Sequence, residues 1–216
     1  MRPREALLLS SLLLTLLPGS LLAQEAEGGA ASARYVAPEE CVAEARSFEE
    51  IAAMLSLDGE GVPAPAMPRI TPPLGELADA ETRTAVRDVV RGIIACFNAG
   101  DIPRAAGLMT ESGVRRVYWG LTIDEENRTL ARERIPAPPE RRADPFLVRL
   151  IAVTDVTVLP DERAAAFVVL NEPLLPPGGP ETLLMLFANQ DGRWLLDDMI
   201  DFSIVPVAPA AESATS

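Results

Sequence analysis

The sequence predicts an α+β domain in which N-terminal helices pack on a curved antiparallel sheet. Two observations predict it. From Val86 to Met109 the apolar residues recur at helical period. From Phe146 onwards they recur at period two, in runs separated by short turns. Helices first and tightly joined strands afterwards give segregated layers rather than alternating βαβ units.

The helical stretch organises the rest. Val86, Val89, Val90, Ile93, Ile94 and Phe97 form one continuous apolar stripe. Asp79 is placed to cap its start, and Gly100 suits the left-handed position just past its end. Asp101 then opens a second helix to Thr110, where Pro103 falls in the tolerated first turn. Glu111 to Trp119 reads as a third short helix that stops at Gly120. Thr122 to Asp144 is crowded with charge and broken by Pro136, Pro138 and Pro139, and reads as a solvated crossing segment. Asn127-Arg128-Thr129 within it matches a glycosylation sequon, a triplet that is common by chance.

The strands follow as a meander. Phe146 to Leu159 and Arg163 to Asn171 pair across the turn Pro160-Asp161-Glu162. A Pro/Gly-rich connection, Pro173 to Pro180, leads to Glu181–Asn189, and the turn Gln190-Asp191-Gly192 leads to Arg193–Val205.

Ahead of the domain, residues 1–23 read as an export signal: Arg2 and Arg4, an apolar run from Ala6 to Leu17, the breaker Pro18-Gly19-Ser20, and cleavage after Ala23. The product is expected outside the cytoplasm. The run is shorter than the roughly 20 residues a membrane span needs, so membrane attachment requires an uncleaved signal. Residues 24–78 read as a flexible leader and Pro-rich linker with one short helix at 48–57, opened by the capping box Ser47/Glu50. The domain is placed at 79–206 and a disordered tail at 207–216.

Composition excludes much chemistry. The chain of 216 residues carries a formal charge of −13, and its 19 basic residues are all arginine. Such an acidic chain is repelled by nucleic acid. Without histidine there is no Ser-His or Cys-His pair and no imidazole ligand; without lysine there is no Schiff base. No cofactor is expected. Two cysteines, Cys41 and Cys96, suit a disulfide in an exported chain, the alternative being a simply buried Cys96 on the helix's apolar face.

In the last strand Trp194, Leu196, Asp198, Ile200 and Phe202 alternate onto one face, with Asp198 its single polar member. A carboxylate among apolar side chains is how a pocket acid or base is made; solvent or an arginine would instead neutralise it. Asp197 and Asp201 fall on the opposite face with Arg193 as solvated charge. Adjacent strand residues point to opposite sides, so Asp197, Asp198 and Asp201 make no metal site.

The segment Ala95-Cys96-Phe97-Asn98-Ala99-Gly100-Asp101, with Ala105, Ala106 and Leu108 after it, resembles the first helix–helix junction of the NTF2-like superfamily, which includes the SnoaL-like and ketosteroid-isomerase-like proteins. Asp191-Gly192-Arg193-Trp194-Leu195-Leu196-Asp197 resembles the closing strand of the same fold. The resemblance covers residues 79–206 and implies a cone-shaped domain with an apolar pocket between helices and sheet. In such a cone Phe97, Tyr118, Trp119, Trp194 and Leu196 line the pocket. The superfamily holds lyases, isomerases and many domains without known activity, so fold alone does not assign function. The expectation is an accessory domain that binds a small apolar molecule or a protein partner without catalysis. The alternatives are a carboxylate-dependent lyase or isomerase using Asp198 with Tyr118, and a structural homodimer joined through the sheet face.

Overall fold

The computed structural model describes residues 34–66, 75–173 and 180–201. The export signal and its cleavage point, the start of the leader, the middle of the Pro-rich linker, most of the Pro/Gly connection, Phe202 and the tail lie outside the described residues.

The order of elements is β1 (Arg34–Tyr35), α1 (Phe48–Leu55), β2 (Glu76–Leu77), α2 (Ala80–Ala99), α3 (Ile102–Gly107), α4 (Glu111–Tyr118), α5 (Glu125–Arg134), β3 (Arg149–Val158), β4 (Ala164–Asn171), β5 (Pro180–Gln190) and β6 (Arg193–Asp201). The class is α+β, with every strand pair antiparallel. The sheet runs β1-β3-β4-β5-β6, and β2 shares the outer edge of β3 with β1. Register slips on β3 between Leu150 and Ala152 and between Thr154 and Thr157. Asp155, at the second slip, takes a left-handed φ of 53°. Such bulges bend a strand and raise its twist.

Local chemistry sets the helix ends. The Asp79 carboxylate accepts the Thr82 N–H at 2.7 Å and starts α2. Gly100, at φ 71°, ends it by donating its N–H to Cys96 O and Phe97 O. A side chain there would collide with the Glu140 carbonyl, 2.1 Å from where a Cβ would sit. The buried stripe of α2 (Val86, Val90, Ile93 and Ile94) joins one core with Val156, Val168, Met185, Phe187 and Leu196 of the sheet. The sheet's other face carries a smaller buried cluster of Leu159, Ala165, Leu184, Leu186 and Ile200.

Three readings of the sequence need correction. First, the stretch taken as flexible leader is part of the domain from at least Val36. Val36, Ile51, Leu55 and Leu57 are buried in the main core. Arg46 donates from Nε to Ala106 O at 2.9 Å and from Nη2 to Met109 O at 2.7 Å, closing the end of α3. Cys41 and Cys96 are bonded, which ties this segment to the last turn of α2. Leader residues showed no periodicity because they pack as extended chain and short turns rather than as one amphipathic element.

Second, the charged stretch after Thr122 is not a bare crossing. Its first half is α5, capped by Asp124, which accepts the Asn127 N–H at 2.8 Å. Only Ala131 of this helix is fully buried, with Ile135 just beyond it, so the apolar signal was too thin to read. Third, β6 does not alternate regularly. Leu186 pairs with Asp198 but the adjacent Phe187 pairs with Leu196, leaving Asp197 as the extra residue of a bulge. Leu196 and Met199 therefore pack in the main core, whereas Ile200 falls in the outer cluster.

Candidate functional site

The end of α2, the start of α3 and the end of α4 converge on one cavity of about 340 Å³. The left-handed turn at Gly100 makes this possible: it reverses the chain so that Asp101 caps α3 beside the last turn of α2. Phe97 and Tyr118 meet edge to face, ring centres 6.5 Å apart and planes at 86°. Ile102, Val117 and Leu121 complete the apolar wall. Asp101, Arg142 and Glu172 bring polar groups to the same space.

The Tyr118 hydroxyl is the unusual atom. It is buried, and among the described residues it has no hydrogen-bond partner. Burial pushes its pKa well above the ordinary tyrosine value; the Asp101 carboxylate adds to this, and the Arg142 guanidinium opposes it. Burial thus favours the neutral phenol, a donor with no acceptor among the described residues. Its charged neighbours are occupied. Asp101 Oδ1 accepts the Arg104 N–H and Oδ2 the Arg104 Nη1, both at 3.0 Å. Arg142 Nη1 donates to both oxygens of Glu172 at 3.0 Å.

Comparison with known proteins finds no matching family model, no matching curated protein and no matching solved structure.

Asp198 stands elsewhere. It lines a groove of about 500 Å³ between the chain at 61–66 and α4, together with Ser56, Ser112, Arg115 and Arg116. Arg116 pairs with it through Nε, and through Nη2 at 3.3 Å. Asp198 Oδ1 also accepts the Met199 N–H at 2.7 Å. Of the outcomes open for this carboxylate in the sequence (a pocket acid or base, exposure to solvent, pairing with an arginine), the structure shows the arginine pair. Arg116 and Tyr118 lie two residues apart on α4 and line different cavities, so Asp198 and Tyr118 are not brought together.

Of the remaining expected pocket residues, Phe97 lines the Tyr118 cavity. Leu196 instead belongs to the main core, at 1% exposure, and Trp194 packs half-buried against that core. Trp119 opens a short 3-10 turn to Thr122 and is half-buried. Asp197 is not solvated charge with Arg193: its Oδ1 accepts the Thr110 hydroxyl at 2.8 Å and its Oδ2 accepts Arg163 Nη1 at 3.3 Å. Among the described residues no group of three or more acidic or cysteine side chains is arranged to hold a metal ion. Sequence reasoning missed Asp101 and Arg142 as cavity residues. Asp101 was legible only as a helix cap, and Arg142 sat in a stretch without periodicity.

Proposed function

We propose that this chain is an exported binding domain of NTF2-like type that holds a small, largely apolar molecule in the Tyr118 cavity without catalysis. The observation that carries this reading is the buried, unpartnered Tyr118 hydroxyl, which faces the free-energy penalty of desolvation with no acceptor to offset it. A ligand with an apolar body and one oxygen or nitrogen acceptor would remove that penalty once the packing that covers the hydroxyl opens. The apolar wall of Phe97, Ile102, Val117 and Leu121 supports the apolar body. A bonded Cys41–Cys96 pair supports an oxidising compartment. The lyase or isomerase reading loses its proposed pair, because Asp198 and Tyr118 line separate cavities and the carboxylate beside Tyr118, Asp101, already caps α3.

Native mass spectrometry of the mature protein, compared with the same sample denatured, tests the proposal. Extra mass lost on denaturation, and absent from Tyr118→Phe, is the expected result. A bare chain mass that takes up no apolar probe would overturn it, and a bare mass at twice the chain would move the reading to a homodimer module.

A further inference from the structure

The cavity has a wall that is built differently from the others. Three sides are helix ends, but the fourth includes Glu140 and Arg142, from the extended chain that runs from the end of α5 to β3. This strap is pinned at both ends by buried residues, Ile135 on one side and Leu147 and Val148 on the other. Between them residues 136–141 are exposed, and Pro136, Pro138 and Pro139 have no N–H to donate. Among the described residues one backbone hydrogen bond joins the strap to the body of the domain, Arg142 N–H to Asn98 O at 3.0 Å. The same residue also anchors it by its side chain, Arg142 to Glu172 just past β4. Segments with few backbone bonds and exposed surface open at low cost, and cavity lids are drawn from them.

We propose that residues 136–143 are the gate of the Tyr118 cavity and that the Arg142–Glu172 ion pair is its latch. The inference rests on the reading of that cavity as a ligand site. The strap swings on its buried ends, and the glycine at 100 gives the Glu140 backbone a flat seat to close on. Arg142 is the residue that couples the two states. It holds the strap against the cavity by backbone and side chain together, Arg142 N–H on Asn98 O and Arg142 Nη1 on Glu172. The ion pair is partly shielded, with side-chain exposures of 28% for Arg142 and 13% for Glu172, so moderate salt loosens it only in part.

Glu172→Gln tests the latch while leaving the cavity wall isosteric. Two measurements are made on the full mature protein: hydrogen exchange at the Arg142 amide without ligand, and stopped-flow binding of the neutral dye N-phenylnaphthylamine. A gate sets the speed of passage in both directions, so the variant should raise the dye's association and dissociation rates together, by about fivefold, with little change in Kd. Exchange at Arg142 should accelerate by a similar factor. Wild-type exchange and wild-type rates in Glu172→Gln would overturn the gate while dye binding still upheld the ligand site. A dye that fails to bind either protein would overturn the ligand site, and the gate with it. A changed Kd with unchanged exchange would make Glu172 a wall residue and overturn the latch.

Discussion

Asn98 Oδ1 accepts the Val148 N–H at 2.8 Å, while the same side chain's Nδ2 donates to Val148 O and to Val36 O, each at 3.0 Å. One fully buried amide thus holds the end of α2, the chain entering β3 and the segment leaving β1. Its own carbonyl accepts from Arg142 N–H, so the residue also anchors the strap. Every hydrogen bond of the side chain is made to main-chain atoms of Val36 and Val148. Asn98→Ala should therefore cost about 3 kcal/mol or more, because it leaves buried backbone groups without partners. Asn98→Asp should cost at least as much, by turning an acceptor towards two carbonyl oxygens. Urea denaturation measures both, and a loss under about 1 kcal/mol would mean that water replaces the amide.

Removing the Tyr118 hydroxyl should do the reverse. Because the group is buried without a partner, Tyr118→Phe should leave the empty protein unchanged or up to about 1 kcal/mol more stable, while weakening N-phenylnaphthylamine little and acceptor-bearing apolar ligands strongly. Marked destabilisation would show that the hydroxyl has a partner in solution.

The same group predicts an alkaline limit. Its folded pKa is raised above the unfolded one, chiefly by burial. The stability linked to it is fully present below the ordinary tyrosine pKa of about 10 and is lost as pH rises from there towards the folded value. Ultraviolet difference titration should show one of the two tyrosines resisting ionisation until the protein unfolds, and Tyr118→Phe should abolish that late step. Two tyrosines titrating together in the folded protein would contradict the burial.

The Cys41–Cys96 bond closes a separation of 55 residues. In the chain-entropy view a loop of that size is worth about 4 kcal/mol, so Cys41→Ala with Cys96→Ala should lower the thermal midpoint substantially. Calorimetry with and without reductant on the wild type gives an independent reading. Equal midpoints would show that Val36 and Arg46 hold the N-terminal segment without the cross-link.

Gly113 offers a test in which two effects oppose each other. Alanine favours a helix interior by about 1 kcal/mol over glycine. At this point of α4, however, a Cβ would lie 2.1 Å from the Leu196 carbonyl oxygen. That same oxygen accepts the Thr110 N–H at 2.8 Å. Gly113→Ala should push α4 off β6 and destabilise by about 2 kcal/mol despite the better helix former. Stabilisation would mean that the helix shifts at no cost.

Asp198→Asn should change little. The Arg116 pair is shielded to about the same degree as Arg142–Glu172, at 17% and 27% of side-chain area, but asparagine keeps an acceptor for Arg116, so the loss should be about 1 kcal/mol or less. Dye binding at the Tyr118 cavity should be unaffected, since Asp198 lines another groove. An altered dye affinity would show that the two spaces communicate.

The frame was legible where one physical signal acted alone. The stripe from Val86 to Phe97, the cap at Asp79 and the turn at Gly100 are local rules, and the structure follows them. Helices followed by an antiparallel meander were readable from the change of period. The Asp198 site was not, because the alternation argument assumes an unbroken strand and one bulge at Asp197 moves the residues beyond it to the other side. Arg46, Asn98 and Arg142 were missed for a shared reason. Their partners are main-chain atoms or charges 30 to 63 positions away, and no periodicity encodes such contacts. Tyr118 was picked out as an aromatic residue at a helix end, but its lack of a partner is a property only of the packed domain.

β6 is the outermost strand on its side, yet little of its free edge is on offer. The Leu196 N–H already donates to Leu108 O at 2.9 Å, its C=O receives Thr110 N–H, and the Met199 N–H is taken by the carboxylate of Asp198. A stray extended chain arriving there would find three main-chain groups between Leu196 and Met199 already taken and could not form an unbroken ladder. On the far side, β1 and β2 cover the two ends of β3, and the stretch between them is kinked by both of its bulges. The short loop from Leu108 to Thr110 and two irregular turns of backbone thus act as terminators, limiting how far this sheet can grow by recruiting copies of itself at high concentration.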